Sequence, residues 1–226
     1  MKLVIIKYNA GNIQSVLYAL ERIGREAVVT DDPAQIRAAD KVIFPGVGEA
    51  STAMDYLRER GLDELIRGLR QPVLGICLGM QLMCSYSEEN DTDCLGIFDE
   101  RVRKFVPGET GSAGTGSTGA GSTGTGDAGA GGAEMMGAAA LKVPQIGWNN
   151  IYELKTPLFE GVAENSYCYF VHGYYAALGE HTIARTDYVQ PYSSGLHRGN
   201  FYGVQFHPEK SAQAGERILQ NFIDHL

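Results

Sequence analysis

Residues 75–81, with the sequence GICLGMQ, place Cys77 where a thiol could act as a nucleophile. A short apolar run after Pro72 leads into them and another follows, which predicts a strand, a sharp turn and a helix. The flanking glycines let the backbone bend sharply and expose the side chain between them. The N-terminus of the helix favours the thiolate, and backbone N–H groups at the turn can receive an oxyanion. The alternative is a buried structural cysteine beside packing glycines.

His207 and Glu209 supply the other groups that thiol chemistry needs. They follow residues 201–206, which have strand composition, so both side chains are expected at the end of that strand. The imidazole can take the proton of Cys77 and later protonate a leaving group, while the carboxylate orients the imidazole. Taken alone, a histidine is more often a satisfied structural residue, and an H-x-E pair could be half of a metal site.

Two glycines in residues 45–48, PGVG, follow the predicted strand 41–44. Such a turn leaves backbone N–H groups free to face a ligand, although a simple tight turn has the same pattern. Because the carboxyl ends of parallel strands meet at one edge of a sheet, we expect this loop to lie beside Cys77.

The elements that position these residues alternate between strands and helices, which predicts an open α/β sheet with ligands at the carboxyl ends of the strands. Asn12 is a plausible N-cap of the first helix with Gly24 as its stop, and Ser211 is a possible cap of the last helix. The remaining predicted elements are strands at 3–6, 27–29, 73–74, 95–98, 101–106, 167–172 and 181–185, a short helix at 33–38, and one helix that holds Met54, Leu57 and Leu62.

The composition narrows the possible partners and compartment. The net charge is −8, and the basic residues are scattered, which argues against nucleic acid or an anionic membrane as the main partner. No apolar run approaches the roughly 20 residues that span a bilayer. Four irregularly spaced cysteines without a signal peptide favour reduced thiols in the cytoplasm. A zinc site at Cys84 and Cys94 lacks the usual ligand spacing, and neither a metal nor a cofactor is expected.

The 226-residue chain is expected to form a single domain with one insertion. The insertion, at about residues 108–140, is rich in Gly, Ser, Thr and Ala and holds almost no large apolar side chain before Met135. Such a segment cannot bury enough surface to offset its ordering entropy, so it is predicted to be a disordered surface insertion. It contains no phosphate-binding G-x-x-x-x-G-K-[ST] motif.

Together, PGVG, GICLGMQ and GVQFHPEKS, in this order and spacing, resemble the class I glutamine amidotransferases. Within this class the chain is similar to the family of glutaminase subunits of imidazole glycerol phosphate synthase. That resemblance rests on YNAGN at 8–12, PQIGWN at 144–149, YFVH at 169–172 and HPEKS at 207–211. It covers nearly the whole chain except residues 108–140, and it implies a three-layer, flavodoxin-like α/β fold with a mostly parallel core and added antiparallel strands.

Three departures from the family pattern occur. Lys7-Tyr8-Asn9 stands where Asp-Tyr-Gly is common, Gln145-Ile146 replaces His-Met, and Gly173 replaces Ser or Thr. None of them touches the predicted nucleophile, base or orienting carboxylate. They concern partner contacts and substrate fit more than chemistry.

The resemblance implies glutamine hydrolysis through a thioester on Cys77, with His207 and Glu209 completing a triad. The backbone of Val47, Gly48 and Leu78 would form the oxyanion hole. Gln81, Glu89, Gly173 and Tyr174 would bind glutamine.

The family delivers ammonia to a (β/α)8 cyclase subunit, so a docking face is expected around the site. A core position for Trp148 is the competing interpretation. Two other functions stay open: a glutaminase for another acceptor pathway, such as vitamin B6 synthesis, and a non-catalytic docking module. The candidate docking residues are Asn12, Trp148, Asn149, Tyr169 and Lys210.

Overall fold

The computed structural model describes residues 1–8, 12–107 and 141–226, and the predicted insertion lies outside them. Five parallel strands form the centre of the sheet in the order β2-β1-β3-β4-β13. This is the strand order of flavodoxin-like folds, with β13 in the fifth position. The five strands are β1 (Leu3–Ile6), β2 (Val28–Thr30), β3 (Lys41–Gly46), β4 (Val73–Cys77) and β13 (Phe201–Val204).

Helices cover both faces of these strands, which confirms the predicted three-layer α/β class. Alternate residues of β1 serve the two faces: Leu3 and Ile5 belong to one buried cluster, Val4 and Ile6 to the other. Helices α1 and α6 pack on the first face, and α2 to α5 pack on the second. The helices are α1 (Ile13–Arg22), α2 (Pro33–Arg37), α3 (Ala50–Glu59), α4 (Leu62–Arg67), α5 (Leu78–Met83) and α6 (Ala212–Asp224).

Mostly antiparallel strands extend the sheet beyond β13, as the predicted fold class requires. A separate two-stranded ribbon pairs β8 with β9, and it runs beside the end of β13, where His207 N donates to Tyr169 O. These strands are β5 (Tyr86–Ser87), β6 (Thr92–Asp93), β7 (Arg101–Lys104), β8 (Gln145–Ile151), β9 (Ser166–His172), β10 (Tyr174–Ala176), β11 (Thr182–Asp187) and β12 (Pro191–Arg198).

Two element predictions were wrong. The helix expected to hold Met54, Leu57 and Leu62 is two helices, because Gly61 adopts a left-handed φ of 63° between them. Residues 95–98 do not form the predicted strand. Their N–H groups instead donate to the last carbonyls of α5, and the segment is largely buried.

The predicted stop of α1 and the predicted N-cap positions of Asn12 and Ser211 are confirmed, but neither side chain caps its helix. Gly24 has a left-handed φ of 69° just past the helix. Asn12 and Ser211 occupy N-cap positions but make no capping hydrogen bond with their side chains. The Asn12 amide is bonded to Glu209, and Ser211 Oγ donates to His207 O and accepts from Tyr169 N. Both side chains therefore make tertiary hydrogen bonds instead of capping their helices.

Candidate active site

The strand–turn–helix geometry predicted around Cys77 is confirmed. Cys77 ends β4 with φ 53° and ψ −110°, a strained conformation for a residue with a side chain, and α5 begins at the next residue. The flanking glycines are required by close packing. A Cβ on Gly75 would lie 2.8 Å from Met80 N, and one on Gly79 would overlap the carbonyl group of Phe44. The turn therefore presents the Cys77 thiol at the carboxyl edge of the sheet.

The structure brings Cys77, His207 and Glu209 together. Nδ1 of His207 donates to Oε1 of Glu209 at 2.8 Å, and both side chains are buried. With Nδ1 committed to the carboxylate, the other ring nitrogen serves the hydrogen bond to Cys77. Burial opposes protonation of His207, but the hydrogen bonds and charges of Cys77 and Glu209 outweigh it and raise the pKa to about 10. The arrangement favours the imidazolium form of His207 beside Cys77 Sγ.

Asn12 adds a second donor to the carboxylate. Its Nδ2 donates to the same Oε1 of Glu209 at 2.9 Å, and its Oδ1 accepts a hydrogen bond from Ser15 Oγ. The guanidinium of Arg22 lies 3.4 Å from the backbone carbonyl oxygen of Glu209. Glu209 is thus held by α1 as well as by its own turn.

A cavity of about 450 Å³ opens in front of the thiol. It is large enough for a small polar substrate, and its wall combines backbone from the glycine loop with side chains from α5, β9 and β10. Glu209 does not line this cavity, although His207, which it contacts, does. Of the residues predicted for catalysis, oxyanion hole and substrate binding, those that line the cavity are Val47, Gly48, Cys77, Leu78, Gln81, Glu89, Gly173, Tyr174 and His207. Asn12 and Lys210 from the predicted docking face also line it, as do Val171 and His172.

The two glycines of the loop 45–48 have different reasons to be glycine. Gly46 is packed against the start of α5, where an added Cβ would lie 2.7 Å from Gly79 N and 2.8 Å from Leu78 Cβ. Gly48 faces open space but has φ 115°, a conformation that side chains disfavour. Tyr8 supports the loop, since its hydroxyl donates to Pro45 O at 2.6 Å.

Gln81 and Glu89 both line the cavity. Gln81 Nε2 donates to Tyr174 O at 2.9 Å and to Gln205 Oε1 at 2.8 Å. The group that Gln81 can offer to a ligand is therefore the acceptor Oε1. Glu89 Oε2 accepts from Ala50 N at 2.8 Å. Burial raises the pKa of Glu89, which a cationic ligand group such as an α-ammonium would reverse.

Sequence reasoning gave no role to two buried polar residues of the site, although both lie in motifs that it used. His172 donates from Nδ1 to Tyr174 O at 2.6 Å, and burial lowers its pKa to about 4, so it is neutral. Gln205 contacts the sulfur of Cys77. The motif letters Y-F-V-H and G-V-Q-F-H contain both, but only the fold shows what they touch.

Of the residues predicted to face a partner, Asn12 and Lys210 line the cavity, and Trp148, Asn149 and Tyr169 lie on the β8–β9 ribbon. Trp148 is 53% exposed, so the interpretation of Trp148 as a core residue is wrong. Its ring meets Tyr169 edge-on at 5.9 Å, and the Lys210 ammonium lies 5.9 Å from the same tyrosine ring. Asn149 lies on the other face of β8 and donates to Asp187 O.

The remaining cysteines behave as packing residues. Burial raises the pKa of Cys94 and of Cys168 to about 12 and that of Cys84 well above its ordinary value. Within residues 1–8, 12–107 and 141–226, no three His, Cys, Asp or Glu side chains form a metal-binding group. Nor does any helix of these ranges have the length and apolar character to cross a membrane.

The model of the glutamine amidotransferase class-I family matches residues 4–226, and the chain belongs to this family. Among curated relatives, the imidazole glycerol phosphate synthase subunit HisH of Bacteroides fragilis is 52% identical over 224 residues, which cover 99% of this chain and 100% of the relative. The HisH subunit of Vibrio cholerae is 40% identical, covering 98% of this chain and 97% of the relative.

Solved structures agree at the level of the fold. A glutamine amidotransferase has a TM-score of 0.65 at 18% identity, covering 98% of this chain and 97% of its own. PurLQS from Thermotoga maritima has a TM-score of 0.63 at 15% identity, covering 99% and 98%.

Proposed function

We propose that this protein is the glutaminase subunit of imidazole glycerol phosphate synthase and acts in histidine biosynthesis. The observation that carries the proposal is the buried Cys77–His207–Glu209 arrangement, whose Cys77 and His207 line a cavity of about 450 Å³. The full-length similarity to HisH subunits supports the pathway. No feature of the site favours another acceptor pathway or a non-catalytic docking module.

Glutamine would enter the cavity with its α-ammonium group toward Glu89 and its side-chain amide toward Cys77. The thiolate attacks the amide carbon, and the N–H groups of Leu78 and of the Val47–Gly48 loop stabilise the oxyanion. Loss of one such N–H donor can slow the reaction by roughly 10²-fold or more. The C–N bond breaks as the imidazolium of His207 protonates the departing nitrogen, giving ammonia and a γ-glutamyl thioester. Water, deprotonated by the neutral imidazole, then cleaves the thioester to glutamate and restores the thiolate–imidazolium pair.

Ammonia released here would pass into a (β/α)8 cyclase subunit docked over the cavity mouth. In the family the cyclase uses it to convert a phosphoribulosyl ribonucleotide into imidazole glycerol phosphate and an aminoimidazole carboxamide nucleotide. The exposed Trp148, packed on the half-buried Tyr169 beside Lys210, supports a docking face next to the cavity. The four free cysteines suit a reducing, cytoplasmic compartment.

The glycine loop is proposed to regulate the reaction. Its peptide units can turn because Gly46 and Gly48 flank Val47, so the loop can offer either a carbonyl or an N–H group to the site. The oxyanion hole would be complete only when the cyclase has bound its own ligand. Equal glutaminase rates with and without the liganded cyclase would exclude this regulation.

The test of the proposed function uses Cys77→Ala in complex with the cyclase. The variant should lose glutamine-dependent product formation and keep the reaction driven by added ammonia, because docking and the cyclase are untouched. Cys94→Ala, which removes another buried cysteine, serves as the matched control and should keep both reactions. Glutamine-dependent activity in the Cys77 variant, or no complex with the cyclase at all, would contradict the proposal.

A further inference from the structure

The buried side chain of Gln205 contacts the sulfur of Cys77. Gln205 lies at the end of β13, two residues before His207, and its side chain is fully buried. Its Nε2 lies 3.6 Å from Cys77 Sγ, within hydrogen-bonding distance for sulfur, and its Oε1 accepts from Gln81 at 2.8 Å. The backbone N–H of Gln205 is bonded to Ser194 O, which fixes the amide relative to the sheet.

The direction of this contact follows from a chain of hydrogen bonds that begins at the backbone. Tyr174 O can only accept, so the group of Gln81 that faces it must be the NH2. The same NH2 also faces Gln205, which must therefore present its oxygen to Gln81. The NH2 of Gln205 is then left to point at Cys77, and a flipped amide would place donor against donor. The structure thus aims an N–H group at the sulfur.

The N–H of Gln205 and the carbonyl oxygen of Val171 have opposite effects on a negative charge at the Cys77 sulfur. The carbonyl oxygen of Val171 lies 3.9 Å from Cys77 Sγ, so it can accept from the thiol but repels the thiolate. The Gln205 amide stabilises the thiolate, since a hydrogen bond to the charged form favours that form. Being neutral and buried, it does so at any pH and needs no reorganisation when the sulfur changes charge.

We propose that Gln205 is a further catalytic residue, whose side-chain N–H donates to the Cys77 thiolate and keeps the nucleophile reactive toward lower pH. This inference rests on the proposed function, because it takes Cys77 to be the nucleophile. The NH2 of Gln81 supports this orientation of the Gln205 amide, which the thiolate also favours by itself, because a flipped amide would place its oxygen against the charged sulfur.

Alkylation of the protein by iodoacetamide tests the inference without glutamine or cyclase, so its outcome is independent of whether the proposed glutaminase activity is found. Modification of the Cys77 peptide is followed by mass spectrometry from about pH 5 to 10, and Cys77→Ala gives the background from the other cysteines. Gln205→Met keeps the size of the side chain and removes its amide. We expect a midpoint of the pH profile about one unit higher and, at pH values below the wild-type midpoint, about tenfold slower alkylation, as one lost hydrogen bond to a charged group implies.

Two variants separate this role from structural effects. Asn221→Leu removes another buried amide, one that donates to Leu158 O and Glu160 O away from the cavity, and should lower stability without moving the pH profile. Gln81→Met removes the partner of Gln205 but leaves the N–H beside the sulfur, and should move the midpoint by much less than Gln205→Met. An unmoved profile in folded Gln205→Met, or equal shifts in the Gln81 and Gln205 variants, would overturn the inference.

A measurement on unmodified Gln205 covers the case in which Gln205→Met does not fold. In the ¹⁵N-labelled protein, one glutamine side-chain NH2 signal should titrate with pH in the wild type and not in Cys77→Ala. Glutamine side-chain signals that titrate identically in both proteins would contradict the contact.

Discussion

Replacing Glu209 by Gln should slow glutamine hydrolysis strongly without disturbing the fold. One carboxylate oxygen accepts from His207 Nδ1 at 2.8 Å and from Asn12 Nδ2 at 2.9 Å. An amide has nearly the same shape, and its oxygen can still accept, but the negative charge is lost. The perturbation therefore acts on the protonation and orientation of the imidazole rather than on packing.

The size of the effect follows from the charge. A hydrogen bond to a charged group contributes about 1.5–3 kcal/mol, and about 1.4 kcal/mol corresponds to one pKa unit. Cys77 and Glu209 together raise the pKa of His207 to about 10 against its burial. We expect Glu209→Gln to lower the pKa of His207 by about one to two units, and kcat to fall roughly 10²- to 10⁴-fold as general acid–base catalysis is impaired.

Two assays check this prediction. Glutamate release in the presence of the liganded cyclase gives kcat, and the pH titration of the His207 ring signal by NMR gives the pKa. Glu216→Gln removes a more exposed carboxylate that pairs with Arg22, and should leave both quantities unchanged. A folded Glu209→Gln protein with kcat within about twofold of wild type and an unmoved titration would refute the reasoning.

Three further predictions concern stability and docking. His172 has a pKa lowered to about 4, so the unfolded chain takes up a proton between about pH 6.5 and 4 that the folded protein does not. The stability that this group provides is lost as the pH falls, by about 3 kcal/mol in total, and denaturant unfolding of His172→Gln should lack that loss. Gly79→Ala should reduce the free energy of unfolding by at least about 3 kcal/mol because its Cβ overlaps the Phe44 carbonyl, and an unaltered denaturation midpoint would contradict the close packing. Trp148→Ala should change stability by less than about 0.5 kcal/mol but weaken cyclase binding about tenfold or more by calorimetry, whereas Val28→Ala, on edge strand β2, should bind normally.

The sequence predicted the central part of the fold and the site geometry because these depend on short-range patterns. The apolar runs of the parallel strands are buried on both faces and therefore nearly continuous. Glycines at 75, 79 and 46 mark places where backbone approaches backbone, and such places leave a visible pattern. His207 and Glu209 follow the strand beside β4, so parallel pairing alone brings them to Cys77.

What the sequence did not predict depends on contacts between distant segments. The side chain of Asn12 could cap α1, but it bonds to Glu209, 197 positions away in the chain. Residues 95–98 are apolar and short, and periodicity cannot separate a strand from a buried loop that satisfies the end of a helix. Gln205 and Cys77 are 128 positions apart, and no local pattern links an amide to a sulfur at that separation.

The most direct test of the mechanism is to trap the covalent intermediate. The complex with its liganded cyclase is mixed with glutamine and quenched in acid, and the peptides are mapped by mass spectrometry. The mechanism predicts a γ-glutamyl adduct on the peptide that contains Cys77, labile to hydroxylamine as a thioester is, and absent from Cys77→Ala. An adduct on another residue, or glutamate release at the wild-type rate by Cys77→Ala, would contradict it.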